Sequence, residues 1–400
     1  YDKESGELVL HNYMDFDNLK DYVKISYELT QDGLLIGKGK LAEVSVIPHS
    51  EGKTNLQVNV PENGKCYLKL TYHLKKEMPL LEEDYILGFD EIEVSQKDAK
   101  CQLAEKWVEK TVTDSELQVS EDDTQIHIKG REFAYTIDRR TALFTEMKFA
   151  GREYLNHPME LNIWRAPTDN DMYIKSEWKK AHYDKAYTRA YTTEVVQGKH
   201  GVKITSHASV VAETVQKILD VTITWKIEAA GKIDADIAVT KDDEFPDLPR
   251  FGVRMFLDKK LSAVRYFGMG PQESYCDKHQ AASHGLYRAD VGDLHEDYIR
   301  PQENGSHYDC EYVELNNSRY GIVASAEKAF SFNASYYTQE ELEKKTHNYE
   351  LIESDSVVFC VDYALNGIGS NSCGPVVLEQ YRFDDVLFRF QFTLIPYVKG

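Results

Sequence analysis

No apolar run in this chain approaches the roughly 18 residues that a membrane-crossing helix needs. Cysteine is sparse and unpatterned. Cys66, Cys101, Cys276, Cys310, Cys360 and Cys373 are widely scattered, with no C-x-x-C and no metal-ligand spacing. No metal site is therefore expected, and at this length a disulfide framework is disfavoured; free thiols in a reducing compartment fit best, which points to a cytoplasmic location. Positive charge is short as well: 47 Lys and Arg face 67 Asp and Glu, a formal charge of −20 at pH 7. Such a balance repels phosphate backbones and anionic lipid, so neither nucleic acid nor membrane is expected as a partner. There is no G-x-S-x-G, no H-E-x-x-H, no P-loop and no alternation of strands with helices of the kind a (β/α)8 barrel requires. A signal peptide is absent too, but the chain opens at Tyr1 without a methionine, and the natural N-terminus is expected to lie upstream.

What is present favours strands. Hydrophobic residues make up 42% and aromatics 12%, with 26 tyrosines among the 400 residues, enough for a large core rich in β-formers. The length suggests two domains. Residues 1–96 alternate apolar with polar at Leu8 to His11, Val23 to Leu29, Asn55 to Val60 and Tyr67 to Tyr72, punctuated by turn signals at Gln31 to Gly33 and Glu62 to Gly64. This predicts a β-sandwich of immunoglobulin size, with one helical turn within Asp15 to Tyr22. The polar stretch at 97–110 reads as a linker. Residues 111–400 again alternate, most strictly at Leu219 to Ile227 and Ile233 to Val239 around an Ala229 to Gly231 turn, and also at Gln125 to Lys129, Phe133 to Ile137, Val357 to Val361 and Phe388 to Ile395. The expected class is all-β, the second domain being a super-sandwich too large for one ordinary sandwich. Helices are few: Ser176 is expected to cap one that carries Trp178 and His182 on a single face, and Thr338 to Glu341 forms a capping box for another.

The most specific stretch is N-I-W-R-A-P-T-D-N-D, Asn162 to Asp171. Pro167 biases the chain away from helix, so Arg165 should leave a strand and enter a loop in which Asp169, Asn170 and Asp171 fold back beneath the guanidinium. Trp164 and Pro167 flank these charges, which predicts a buried Arg–Asp clamp in place of a solvated turn. The same two aspartates could ligate Ca²⁺, which takes six to eight oxygens, but too few further ligands lie nearby. Three more loops stand out: Tyr266 to Asp277, Tyr298 to Gly305, and Leu365 to Pro375. Their Glu273, Asp277 and Glu303 either line a sugar-binding cleft or lock loops between strands. The G-x-G in the first of these loops is followed by no helix and is rejected as a dinucleotide site. His284, His307 and His347 are candidate acid–base groups for sugar epimerisation, although most of the 13 histidines are ordinary surface or loop residues. Glycoside hydrolysis needs two carboxyls about 5 to 9.5 Å apart, and nothing in the pattern of acids singles out such a pair.

Together these loops resemble the C-terminal region of a glycoside hydrolase family 2 β-galactosidase. The resemblance rests on W-R-A-P-T-D-N-D, G-x-G-P-x-E-x-Y-x-D, P-Q-E-N-G, T-H-N-Y-E-L and G-I-G-S-N-S-C-G-P in this order, and on residues 1–94, which are similar to the immunoglobulin-like domain preceding them. It implies a galactose-mutarotase-like super-sandwich for the second part. It implies equally that the catalytic glutamates lie in an upstream TIM barrel, because the family's acid/base sits in an Asn-Glu dipeptide and this chain has none. The implied role is non-catalytic: shaping the active-site rim and supporting assembly in an enzyme that hydrolyses terminal β-D-galactosides with retention. No catalytic residue is expected here. By motif alignment Asn371, Ser372 and Cys373 occupy the substrate rim, Cys373 standing where some members carry an aromatic. The implied partners are the upstream barrel or a large subunit, β-galactoside in the assembled enzyme, and further copies in a homo-oligomer. No cofactor is expected in this chain, while the parent's barrel is expected to use a divalent cation and Na⁺. Lys278, His307 and Glu311 depart from arginines common at those places. The alternatives are a separate small subunit and a stand-alone sugar-binding or mutarotase-like protein.

Overall fold

The computed structural model describes residues 1–97, 99–103 and 117–399; most of the linker expected at 97–110 lies outside them. Two compact units are present, Tyr1–Glu105 with His284–Leu286, and Lys106–Ser283 with Tyr287–Gly400.

The first unit holds β1 (Glu7–Asn12), β2 (Val23–Gln31), β3 (Leu34–Lys40), β4 (Ser50–Asn55), β5 (Cys66–Leu74) and β6 (Ile86–Glu93). They form a four-stranded sheet in the order β3-β2-β5-β6 and a two-stranded one, β1-β4. Alternation does the sorting: Leu8 and Leu10 are buried with Leu29, Leu68 and Leu70, while Val9 between the first two is exposed. Asp32 and Gly33 both have positive φ, 48° and 76°, as a two-residue hairpin between β2 and β3 demands. One helical turn forms at Leu19–Tyr22, its start capped by Asn18. The strand expected over Asn55 to Val60 is displaced. The ladder to β1 is made by the polar run Ser50–Asn55, whereas Leu56 is buried in extended chain outside any strand. Alternation reports which side is buried, not whether a partner strand lies alongside.

The second unit contains β7 (Gln118–Glu121), β8 (Gln125–Lys129), β9 (Phe133–Asp138), β10 (Leu143–Phe149), β11 (Arg152–Glu153), β12 (Leu155–Asn162), β13 (Tyr187–Gln197), β14 (Gly201–Val211), β15 (Leu219–Glu228), β16 (Ile233–Lys241), β17 (Arg250–Asp258), β18 (Ala263–Gly270), β19 (Ser283–Asp290, apart from His284–Leu286), β20 (Ser306–Asn316), β21 (Tyr320–Ser335), β22 (Ser356–Leu365) and β23 (Leu387–Val398). A five-stranded sheet runs β11-β10-β9-β8-β7, and a 12-stranded sheet follows the path β12-β17-β22-β21-β23-β16-β15-β14-β13, with β20, β18 and β19 branching from β21 in that order. The hairpin of β15 and β16 pairs Val221 with Val239, Ile223 with Ile237 and Trp225 with Ala235. That apolar face meets the smaller sheet: Trp225 packs edge-on against Phe144 at 4.9 Å and donates its indole N–H to the Ala142 carbonyl at 2.8 Å. Each fully buried large side chain here is worth about 1.5–3 kcal/mol, so the sheet-on-sheet core dominates the stability of the unit.

The helices differ in one respect from expectation. Thr338 caps Gln339–Lys344, its hydroxyl accepting the Glu341 N–H at 3.1 Å. Ser176, however, sits inside Ile174–Lys180 and caps nothing, and His182 lies beyond the helix at φ 58°, off the face that buries Trp178. A lone serine before an aromatic was too weak a start signal against the preceding loop.

Candidate functional site

β12 ends at Asn162, and the chain turns through Trp164 into a short 3-10 helix at Asp169–Asp171. Arg165 is fully buried at this exit. Its Nε and Nη2 donate to the Asp171 carboxylate at 3.1 and 2.7 Å, a two-toothed pair, while Nη1 donates to the Asn366 carbonyl and Nη2 to that of Gly367 at 3.2 Å. Asp171 also accepts the Thr168 N–H at 2.9 Å, which closes the loop on itself. The clamp partner is thus Asp171. Asp169 is exposed and instead exchanges bonds with Gln302, whose amide oxygen accepts the Asp169 N–H at 3.0 Å. Trp164 is buried edge-on against Trp178 at 6.2 Å.

The loop after β22 is held at its base by three side chains, two from the loop that follows β12 and one from the loop that follows β18. Besides Arg165, Asn170 donates to the Ile368 carbonyl at 2.7 Å, and Asp277 accepts the N–H groups of Ile368 and Gly369 at 3.0 and 2.7 Å. A Cβ at Gly367 would come within 2.7 Å of the Asp277 carboxylate and would push it off these two N–H groups. Past this anchored base the loop is bare: Asn371 is half-buried at φ 95°, and Ser372 and Cys373 are exposed.

Glu303 and Glu273 lie on the neighbouring loops. Glu303 is buried, its N–H on the Ala166 carbonyl at 3.0 Å and its carboxylate 3.1 Å from Arg250 Nη1. Arg250, itself fully buried, grips Asp362 through Nε at 3.2 Å and Nη2 at 2.5 Å. Burial pushes Glu303 up from the usual carboxylate range and lifts Asp362 to about 6, against the pull of Arg250. Glu273 accepts the Gly305 N–H at 2.8 Å and is further bonded by Lys278 and the Tyr298 hydroxyl; lysine therefore does serve at position 278. His307 is buried among Tyr266 and Phe332, and burial lowers its imidazole to about 4. His347 is exposed, stacked on Tyr349 at 5.1 Å, and joins none of these carboxylates.

The geometry therefore unites Arg165, Asn170, Asp171, Asp277 and Glu303 around one loop base and leaves His347 aside. Each carboxylate in the group already accepts charged or backbone donors, and Glu303, like Asp362 beside it, is sealed from solvent. This arrangement holds loops in place and offers no open acid–base pair. Sequence reasoning missed Arg250 and Asp362. They pair across 112 positions; Asp362 is the one charge in the apolar strand SVVFCVDYAL, whereas Arg250 shares its strand RFGVRMFLD with Arg254 and Asp258 and carries no such signal.

The structure thus defines an all-β chain in which a large two-sheet unit carries a tightly braced loop cluster. The chain belongs to the family described as Beta galactosidase small chain, whose model matches residues 129–394, and residues 8–95 match the model for β-galactosidase domain 4. It is 42% identical to a β-galactosidase of Actinobacillus pleuropneumoniae over 392 residues, covering 98% of this chain and 38% of that one. A β-galactosidase of Staphylococcus xylosus is 30% identical over 398 residues, with 98% and 39% covered. The chain therefore spans less than two-fifths of the length of these relatives. Among solved structures, galactose 1-epimerase from Lactobacillus acidophilus NCFM aligns with 72% of this chain and 100% of its own, at 8% identity and a TM-score of 0.38.

Proposed function

We propose that this chain is the non-catalytic C-terminal part of a β-galactosidase that hydrolyses terminal β-D-galactosides with retention, and that it shapes the active-site rim and supports assembly. The observation that carries this reading is the loop at 366–374, braced at its base by Arg165, Asn170 and Asp277 yet exposed at Ser372 and Cys373. A rigid base under a bare tip is the form of a segment that presents side chains to something else. Exposed apolar residues belong to the same loops, Val376 and Leu378 beyond the tip and Ile299 and Tyr349 on its neighbours, which favours docking against protein. The partner is the barrel-bearing remainder of the enzyme, on the same polypeptide or as a large subunit, and the whole assembles into a homo-oligomer in the cytoplasm. Any divalent cation or Na⁺ belongs to the barrel; this chain contributes Asn371, Ser372 and Cys373 to the rim around bound galactoside.

Thiol alkylation tests the placement. Only Cys373 among the six cysteines is exposed, and burial pushes Cys66 and Cys276 up to about 11 and Cys360 up to about 12, so these stay protonated and unreactive. Iodoacetamide should label Cys373 readily in the isolated chain, more slowly once the barrel-bearing part is bound, and more slowly again with saturating galactose. A labelling rate equal in all three states would show that the loop lies away from the rim.

A further inference from the structure

β21 changes partner midway along its length. Tyr320 to Ser325 pair with β23, and Ser331 to Ser335 pair with β22. Between them the register against β20 jumps from Tyr312↔Ser325 to Cys310↔Phe330, so residues 326–329 bulge out of the ladder. β20 pairs with both segments, so β22 and β23 lie one after the other along the opposite edge of β21, and at 326–329 that edge is paired with neither. What remains is a cleft of about 430 Å³, within the usual range for small-molecule sites.

Its lining is specific in two ways. Tyr363, Phe383 and Phe390 supply aromatic surface, with the Tyr363 ring fixed by stacking on Phe388 at 4.9 Å. Around them stand three cations, Lys328, Arg382 and Arg389, and three carboxylates, Asp309, Glu327 and Asp385. The formal sum is zero, in a chain whose total is −20. Arg389 is held in place by Asp236 at 2.6 Å and Arg382 by the Val377 carbonyl at 3.1 Å, so the guanidiniums are set before any ligand arrives. An anion would be recognised by an excess of cations, which this lining lacks, the more so because Asp236 already neutralises Arg389. A hydroxyl, by contrast, donates to a carboxylate and accepts from a guanidinium at once, and the C–H face of a sugar ring packs against an aromatic plane.

We propose that this cleft binds a neutral saccharide of one or two rings. It is built wholly from the second unit of this chain, so its test needs no other part of an enzyme and does not turn on the rim reading above. Saturation-transfer difference NMR on the purified chain would use lactose as the probe, with anionic lactobionate and cationic glucosamine as comparators. The expected result is a weak, saturable lactose signal that exceeds both comparators, survives Tyr363→Phe and falls severalfold in Tyr363→Ala. Should Tyr363→Ala fail to fold, Ala329→Trp serves in its place: it sits on the exposed bulge, puts an indole in the mouth of the cleft and should abolish the signal in a chain with unchanged circular dichroism. Absence of a saturable signal, equal strength for the charged sugars, or lactose binding retained in Ala329→Trp would each overturn the proposal.

Discussion

Replacing Arg250 with methionine should remove most of the stability of the second unit at neutral pH. Two buried carboxylates, Asp362 and Glu303, would lose the guanidinium they share. Breaking one buried pair from one side costs roughly 3–5 kcal/mol, and with two orphaned carboxylates the loss should reach the upper part of that range or pass it. A domain is stable by only about 5–15 kcal/mol in all. The pH dependence gives this prediction a sign. Burial lifts Asp362 in the folded chain from 3.8 to about 6; below 3.8 both states hold the proton, so the buried group costs nothing there. As pH rises through about 6 the folded chain must ionise a carboxyl that the unfolded chain ionised already, and stability is lost. Without Arg250 that loss deepens, so urea unfolding of Arg250→Met should give a midpoint much lower at pH 8 than at pH 5, with a gap wider than that of the parent chain. Adding Asp362→Leu should restore part of the loss at pH 8. Equal midpoints for parent and Arg250→Met at pH 8 would mean that the triad contributes no net stability.

Arg165→Ala should cost about 3 kcal/mol or more, because it strands the buried Asp171 carboxylate and frees two carbonyls. The effect should also spread to the rim loop, since Arg165 holds the carbonyls of Asn366 and Gly367. Arg165→Lys keeps the charge but loses the planar fork, so it should fall between the two. Chemical denaturation reads the stability, and amide exchange at Ile368 and Gly369 reads the loop, which should exchange faster in Arg165→Ala. An unchanged unfolding midpoint would reduce the clamp to a turn of no energetic weight.

The parts of this molecule that sequence made legible share a physical reason. Strict alternation at Val221 to Ile227 and Ile233 to Val239 placed a hairpin with its turn, because a period of two fits nothing but a half-buried strand. The Arg165 clamp was legible because its carboxylate lies six positions away, inside one loop. Local chemistry did not separate Asp171 from Asp169, since both are aspartates in the same tight turn and only the closed loop decides which one faces inward. Arg250 with Asp362, and the bracing of Ile368 by Asp277, depend on strands brought together by topology, and no local pattern records such a meeting. The cleft beside β21 is harder still to foresee. It arises from a bulge whose residues, Ala326 to Ala329, are poor strand formers that carry no pattern marking a cleft.

The most direct measurement of the central claim is hydrolysis of an aryl β-galactoside by three samples: this chain, the separately expressed barrel-bearing remainder, and the two mixed. The chain alone should show no turnover, because Asp171, Glu273, Asp277 and Glu303 are each taken up by donors that hold loops in place, and the mixture should show activity that the remainder alone lacks. Turnover by the purified chain itself, or a mixture that associates and stays no more active than the remainder alone, would contradict it.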